Sequence, residues 1–167
     1  MGTGKTTVGK EVATRLQASF IDTDQIIEKS SGLPIASIIK QRGESYFREM
    51  ETIVIENLPA NGGLVIASGG GAVLLEKNLM RLERLGVLFC LDAQIDALEN
   101  RLKLDTARPL LEGGILRERI LEILKQREAI YRQIPRHIDT SFCTPHEAAS
   151  IIINQYRQII ENNGSDL

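Results

Sequence analysis

The sequence predicts a single α/β domain, a parallel sheet flanked by helices, and three observations carry that prediction. Short apolar runs alternate with longer amphipathic ones, which is how βαβ units read. The chain opens on a glycine-rich loop, Gly2-Thr3-Gly4, that passes directly into a helical pattern. Its 167 residues, 43% hydrophobic and 25% charged, suffice for one core without disulfide or metal staples.

The first helix follows Gly4-Lys5-Thr6, because Val8, Val12, Ala13 and Leu16 recur at three-to-four spacing. Ser19–Asp22 reads as the first strand. Phe47, Met50, Val54 and Leu58 mark a helix across Glu44–Leu58. Leu64–Ala67 and Val87–Leu91 are the next strands. Leu116, Ile120, Ile123, Leu124 and Tyr131 form another helical stripe, followed by a strand at Ile138–Phe142. Ala148, Ile152, Tyr156 and Ile159 mark the last helix, and the tail after Asn162 is expected to fray. Lys103–Gly114, with one proline and two closing glycines, reads as a mobile loop. There is no internal repeat.

Composition narrows the function classes. Twenty Lys+Arg against 22 Asp+Glu give a formal net charge of -2, so there is no basic footprint for nucleic acid. The longest apolar stretches are a few residues, too short to span a membrane, and the N-terminus has no apolar leader. A cytoplasmic protein is expected. Cys90 lies in an apolar run and Cys143 in a polar loop, and two histidines complete the set. These numbers suggest neither a disulfide framework nor a zinc site. Seven aromatics without tryptophan argue against a stacking platform for bases.

Gly2-Thr3-Gly4-Lys5-Thr6-Thr7 ends like the phosphate-binding motif G-x-x-x-x-G-K-[ST]. In that motif glycines let backbone N–H groups curl around phosphate oxygens. Lys5 would then reach the β- and γ-phosphates and Thr6 would place a hydroxyl on Mg²⁺. The helix that begins there points its positive end at the same anion. Counting back from Lys5, the motif's first glycine and the strand that leads into it would precede Met1. A longer natural chain is therefore expected, or another segment or a partner chain in the gap. Without that strand, each buried orphan on the neighbouring strands costs roughly 1–3 kcal/mol, and nucleotide affinity would suffer.

Asp22 and Asp24 stand at the end of an apolar strand, the edge where α/β sheets bind ligands. If the extended backbone continues, alternation puts both on one side. One carboxylate would then serve the metal shell while the other accepts a proton. The alternative for Asp24 is an N-cap of the next helix. Ser68-Gly69-Gly70-Gly71 after a buried strand permits close approach to a ligand, or else forms a tight turn. Arg48 and Glu51 are either a site pair or a surface pair worth a few tenths of a kcal/mol. Arg127 falls on an apolar helical stripe, where a guanidinium requires an anionic partner unless it snorkels outward. Arg108, in the predicted mobile loop, would reach a transferring phosphoryl group or stay solvated.

Taken together, Gly-Thr-Gly-Lys-Thr at 2–6, Asp22-Thr-Asp24, Phe47-Arg48, Gly69-Gly70-Gly71, Arg108-Pro-Leu-Leu and Arg127 resemble the shikimate kinases in order and spacing, over essentially the whole chain. The resemblance implies a P-loop, nucleoside-monophosphate-kinase-like fold. This is a three-layer α/β/α domain covering residues 1–167, with five parallel strands in the family and the first central strand missing here. A lid would span about 103–114 and a shikimate-binding helical region about 24–60. The implied reaction moves the ATP γ-phosphoryl group to the 3-hydroxyl of shikimate, in aromatic amino-acid biosynthesis.

By position, the resemblance gives Gly2, Thr3, Gly4, Lys5, Thr6, Thr7 and Arg108 to ATP, with weaker motif support for Arg101 and Pro145 at the adenine. Thr6 and Asp22 would serve Mg²⁺. Asp24, Phe47, Arg48, Gly69, Gly70, Gly71 and Arg127 would form the shikimate pocket, the two arginines gripping its carboxylate and Glu51 bracing Arg48. Lys5, Asp24 and Arg108 would be catalytic. The family precedent is a monomer, with pairing through the incomplete sheet as an alternative. Before Tyr131 the family often has a proline where this chain reads Glu128-Ala129-Ile130. The rival readings are a P-loop kinase for another metabolite such as gluconate, and a shikimate-binding or regulatory module with impaired nucleotide binding.

Overall fold

The computed structural model describes residues 2–60, 62–103 and 115–164. Helix α1 (Lys5–Leu16) starts at Gly4, whose φ of 85° lets the loop turn sharply into the helix without a Cβ clash. Strand β1 (Ser19–Asp22) pairs in parallel with β2 (Leu64–Ala67), from Ser19 opposite Leu64 to Asp22 opposite Ala67. Between them lie α2 (Thr23–Ser31) and the long α3 (Ile35–Glu56), broken at Gly43 (φ 85°, ψ 163°). After β2 comes a 3₁₀ turn, Ala72–Leu74, and α4 (Glu76–Leu85). Strand β3 (Cys90–Asp92), α5 (Ile95–Lys103), α6 (Leu116–Tyr131), β4 (His137–Asp139) and α7 (Pro145–Gly164) complete the order.

Alternating side chains place the strands between two helical layers. Val65, Leu91 and Ile138 join Val8 and Val12 of α1 and Ala148, Ala149, Ile152 and Ile153 of α7 in one core. Ile21, Ile66 and Leu88 face the other way, against Ile55, Leu79 and Leu82 and the end of α6. A third cluster, Ile27, Ile38 and Phe47, joins α2 to α3. This is the expected three-layer α/β/α arrangement. The four described strands form two parallel pairs, β1–β2 and β3–β4, not one continuous ladder.

Several local expectations need correction. The chain does not stay extended past Asp22: α2 begins at Thr23, and Asp22 itself is the N-cap, accepting from the N–H groups of Asp24 and Gln25. The alternative that Asp24 caps this helix therefore fails, because the first N–H groups are already satisfied from two positions earlier, by Asp22. The strand expected at Val87–Leu91 forms its ladder only from Cys90, where the Cys90 N–H reaches Arg136 O. The strand expected at Ile138–Phe142 stops at Asp139, whose carboxylate takes the Ser141 N–H in a turn; Phe142 is 85% exposed. Beside this pair, Asp92 bridges His137 Nδ1 at 2.5 Å and Cys90 Sγ at 3.5 Å. Burial and Asp92 push the Cys90 thiol up to about 12, so it serves as a neutral donor. The expected lid lies, beyond Lys103, outside the described residues, and Arg108 with it.

Candidate active site

Strands β1 and β2 end side by side at Asp22 and Ala67, and α1 starts beside them at Lys5. These three ends border a cleft of about 450 Å³, lined on one flank by Gly2, Gly4, Lys5, Thr6, Thr7 and Asp22. Thr6 Oγ1 donates to Asp22 Oδ2 at 2.7 Å, while Asp22 Oδ1 accepts the capping N–H groups of α2. One carboxylate thus joins the starts of two helices. The hydroxyl and carboxylate oxygens that this pair presents are the hard donors a magnesium ion takes.

The loop ahead of Lys5 is held from behind. Arg101 Nη1 donates to Gly2 O at 3.3 Å and to Thr140 Oγ1 at 3.2 Å, and its Nη2 donates to Thr140 O. Thr140, 2% exposed, also bonds through its hydroxyl to Thr3 O at 3.1 Å and Asp92 O at 2.9 Å. Arg101 reaches the cleft; the Thr3 side chain is buried, and Thr3 and Pro145 stand outside the cleft lining. Pro145 opens α7.

The opposite flank carries the charged groups expected for an acid. Asp24 sits in the first turn of α2, and Phe47 and Arg48 project from α3. Arg48 Nη1 donates to Glu51 Oε2 at 2.5 Å, and Nη2 to Glu44 Oε1 at 2.6 Å. Glu51 is 1% exposed, so this is no surface pair. Its second oxygen, Oε1, has no hydrogen-bond partner among the described residues. Arg127 is 8% exposed and lines the cleft, which removes the snorkelling alternative. A Cβ at Gly71 would run into the Arg48 guanidinium, and one at Gly69 into the Glu51 carboxylate. That close approach is why this turn is built of glycine.

Burial raises the Glu51 pKa, the nearby Arg48 charge pulls against the rise, and Asp24 adds to it. Burial works against the charge of Arg48, but Glu51 and Glu44 outweigh it and hold its pKa above the ordinary value. A guanidinium so fixed is always charged and offers a fork that suits a carboxylate. The cleft therefore sets the phosphate-loop end against a guanidinium-lined pocket that also holds carboxylates, Asp24 among them. Such a site can set a polyphosphate against a small hydroxylated acid.

Sequence reasoning brought together Gly2, Gly4, Lys5, Thr6, Thr7, Asp22, Asp24, Phe47, Arg48, Gly69, Gly70, Gly71, Arg101 and Arg127, all of which line the cleft. It missed three hydroxyls. Thr23, fully buried, accepts from the Gly69 N–H at 3.2 Å and ties α2 to the glycine turn. Thr140 holds the phosphate loop. Tyr131 Oη donates to Gly70 O at 2.6 Å. For Tyr131 a signal existed: it stands four residues after Arg127 on the same stripe.

The family model described as shikimate kinase matches residues 1–157. The shikimate kinase of Thermodesulfovibrio yellowstonii is 44% identical over 159 residues, 95% of this chain and 92% of that protein. That of Caldanaerobacter subterraneus subsp. tengcongensis is 41% identical over 156 residues, 93% and 91% of the two chains. Among solved structures, the shikimate kinase from Acinetobacter baumannii in complex with shikimate superposes with a TM-score of 0.88 at 34% identity. It covers 98% of this chain and 89% of that one. The enzyme from Bacteroides thetaiotaomicron gives 0.82 at 30% identity over 96% and 94%. With a fold that agrees over nearly its full length, and a cleft that faces a phosphate loop with paired arginines, the chain belongs to the shikimate kinase family and is a kinase.

Proposed function

We propose that residues 1–167 form one domain that transfers the γ-phosphoryl group of ATP to the 3-hydroxyl of shikimate, as cytoplasmic chemistry of a single chain. The observation that carries this reading is the opposition of two arginines, the buried Arg127 and the half-buried Arg48, to the loop around Lys5 across one cleft. Gly2, Gly4, Lys5, Thr6 and Thr7 take the polyphosphate, and Arg101 borders the nucleotide end, with Pro145 beyond it. Arg48 and Arg127 take the ring-borne carboxylate, while Phe47 and the Gly69–Gly71 turn close the pocket around the ring. Asp24 binds the reacting hydroxyl and accepts its proton.

The oxygen–phosphorus bond to the substrate forms as the bond from the γ-phosphorus to the bridging oxygen breaks, and ADP leaves with the electron pair. Catalysis of this kind is mostly positioning and charge stabilisation. Lys5 neutralises charge on the transferring group, a role that Arg108 shares. Thr6 and Asp22 fit a magnesium ion, which when bound supplies charge neutralisation at the β- and γ-phosphates.

The test is an ADP-release assay with shikimate and with gluconate, on the wild-type chain and on Asp24→Asn. ADP formation with shikimate alone, depressed about 10²–10⁴-fold in Asp24→Asn, is the expected result. Turnover of gluconate in place of shikimate overturns the reading. Shikimate binding without ATP binding, measured by calorimetry, would favour the regulatory module instead.

A further inference from the structure

The glycine turn is fastened at almost every peptide. Gly69 N–H donates to the buried Thr23 hydroxyl, Gly69 O accepts from Ala72 N at 3.0 Å, and Gly71 O accepts from Leu74 N at 3.1 Å. The remaining carbonyl, Gly70 O, is held by a side chain from a distant element, the Tyr131 hydroxyl at 2.6 Å. Tyr131 ends α6, one helical turn after Arg127, so the two side chains lie over neighbouring parts of the same face. The positive charge of Arg127 acts on the phenol. The hydroxyl therefore donates to Gly70 O from the same helix end that carries Arg127.

Burial raises the phenol's pKa, with the charge of Arg127 opposing the rise, so the group remains a donor throughout the working pH range. In a trans peptide the N–H lies on the edge opposite the C=O. Drawing the Gly70 carbonyl toward α6 consequently turns the Gly71 N–H away from α6. Nothing in the glycines themselves would fix that plane, since they rotate more freely than any other residue.

We propose that Tyr131 is a positioning residue for the acid-binding half of the cleft, fastening the glycine turn through one hydroxyl to the helix that carries Arg127. The inference rests on the shikimate reading above for its kinetic consequence, but not for its structural one. In the substrate-free protein the hydroxyl keeps the turn and the helix that carries the guanidinium in a single register. In the working enzyme that register is the one the ring carboxylate meets, so shikimate does not have to order either partner.

The experiment is Tyr131→Phe, which keeps the ring and removes the hydroxyl. Two readouts are taken: steady-state kinetics with each substrate varied, and amide hydrogen exchange of Gly69 and Ala72, the bonded amides of the turn, without substrate. Expected are a shikimate KM raised about fivefold to tenfold, an ATP KM and a kcat within about twofold of wild type, and exchange at these two amides at least about tenfold faster. Because Tyr131 acts on the same pocket as Arg127, one helical turn away, Arg127→Lys and Tyr131→Phe combined should cost less than the sum of the two. Unchanged exchange and unchanged shikimate KM overturn the proposal. So does a parallel rise of both KM values with a lowered melting temperature, which would mark a merely structural role. A wild-type chain without shikimate turnover but with faster exchange at the two amides in Tyr131→Phe would sink the shikimate reading and leave the fastening standing.

Discussion

On the proposed reading, the two flanks of the cleft solve the same problem, holding an anion, with different material. On the nucleotide flank the charge is met by backbone N–H groups and a helix start, and side chains act on the loop from behind. Arg101 and Thr140 bond to the carbonyls of Gly2 and Thr3. On the acid flank two guanidinium groups are carried into the protein, and Glu51, 1% exposed, accompanies them as counter-charge. A polyphosphate has many oxygens and tolerates diffuse amide dipoles. A single planar carboxylate rewards a fork. The cost of the fork is a buried acid whose pKa is raised by desolvation.

The comparison predicts that damage on one flank stays on that flank. The largest effect belongs to Arg127→Ala. Loss of charge-assisted hydrogen bonds worth about 1.5–3 kcal/mol should weaken shikimate binding on the order of 10–100-fold, with ATP binding unchanged by calorimetry. Equal loss of both ligands would break the division. Thr140→Val should do the reverse on a smaller scale. The ATP KM rises about threefold to tenfold because the loop carbonyls lose their anchor, while the shikimate KM stays put. A change confined to shikimate would refute the anchoring role.

The smallest effect is on stability and follows from Glu51. Its folded pKa lies above the ordinary glutamate value. Between those two values the native state binds more protons than the unfolded chain, so unfolding free energy falls as pH rises through that window. Glu51→Gln should flatten this slope in urea titrations taken at a series of pH values. An unaltered slope would show that the buried acid is not its source.

Much of this layout could be read before any coordinates. β1 and β2 were marked residue for residue, because four apolar-rich positions ending in a ligand-facing residue leave little freedom of register. Arg127 stood out because a guanidinium on an apolar stripe contradicts its neighbours. Three things stayed hidden for a physical reason. Thr23 and Thr140 act through hydroxyls on elements far away in sequence, and a threonine in a strand-to-helix turn looks the same whether or not a distant amide reaches it. The start of α2 was misjudged because Asp22-Thr23-Asp24 offers two equivalent caps. The choice falls to Asp22, which also meets the Thr6 hydroxyl. The ends of β3 and β4 were read too generously, since apolar pattern reports burial and not ladder partners: Leu88 and Phe89 pack against the core without joining the strand.

Asp22 has one more consequence. Its two oxygens serve different masters, one the opening N–H groups of α2 and the other the hydroxyl at the start of α1. In the proposed reaction the spacing between donor and acceptor of the phosphoryl group is thereby gauged by a single side chain. Every drift of the phosphate loop is passed on to the helix that carries Asp24, so the two reactants share one reference point instead of two independent mounts.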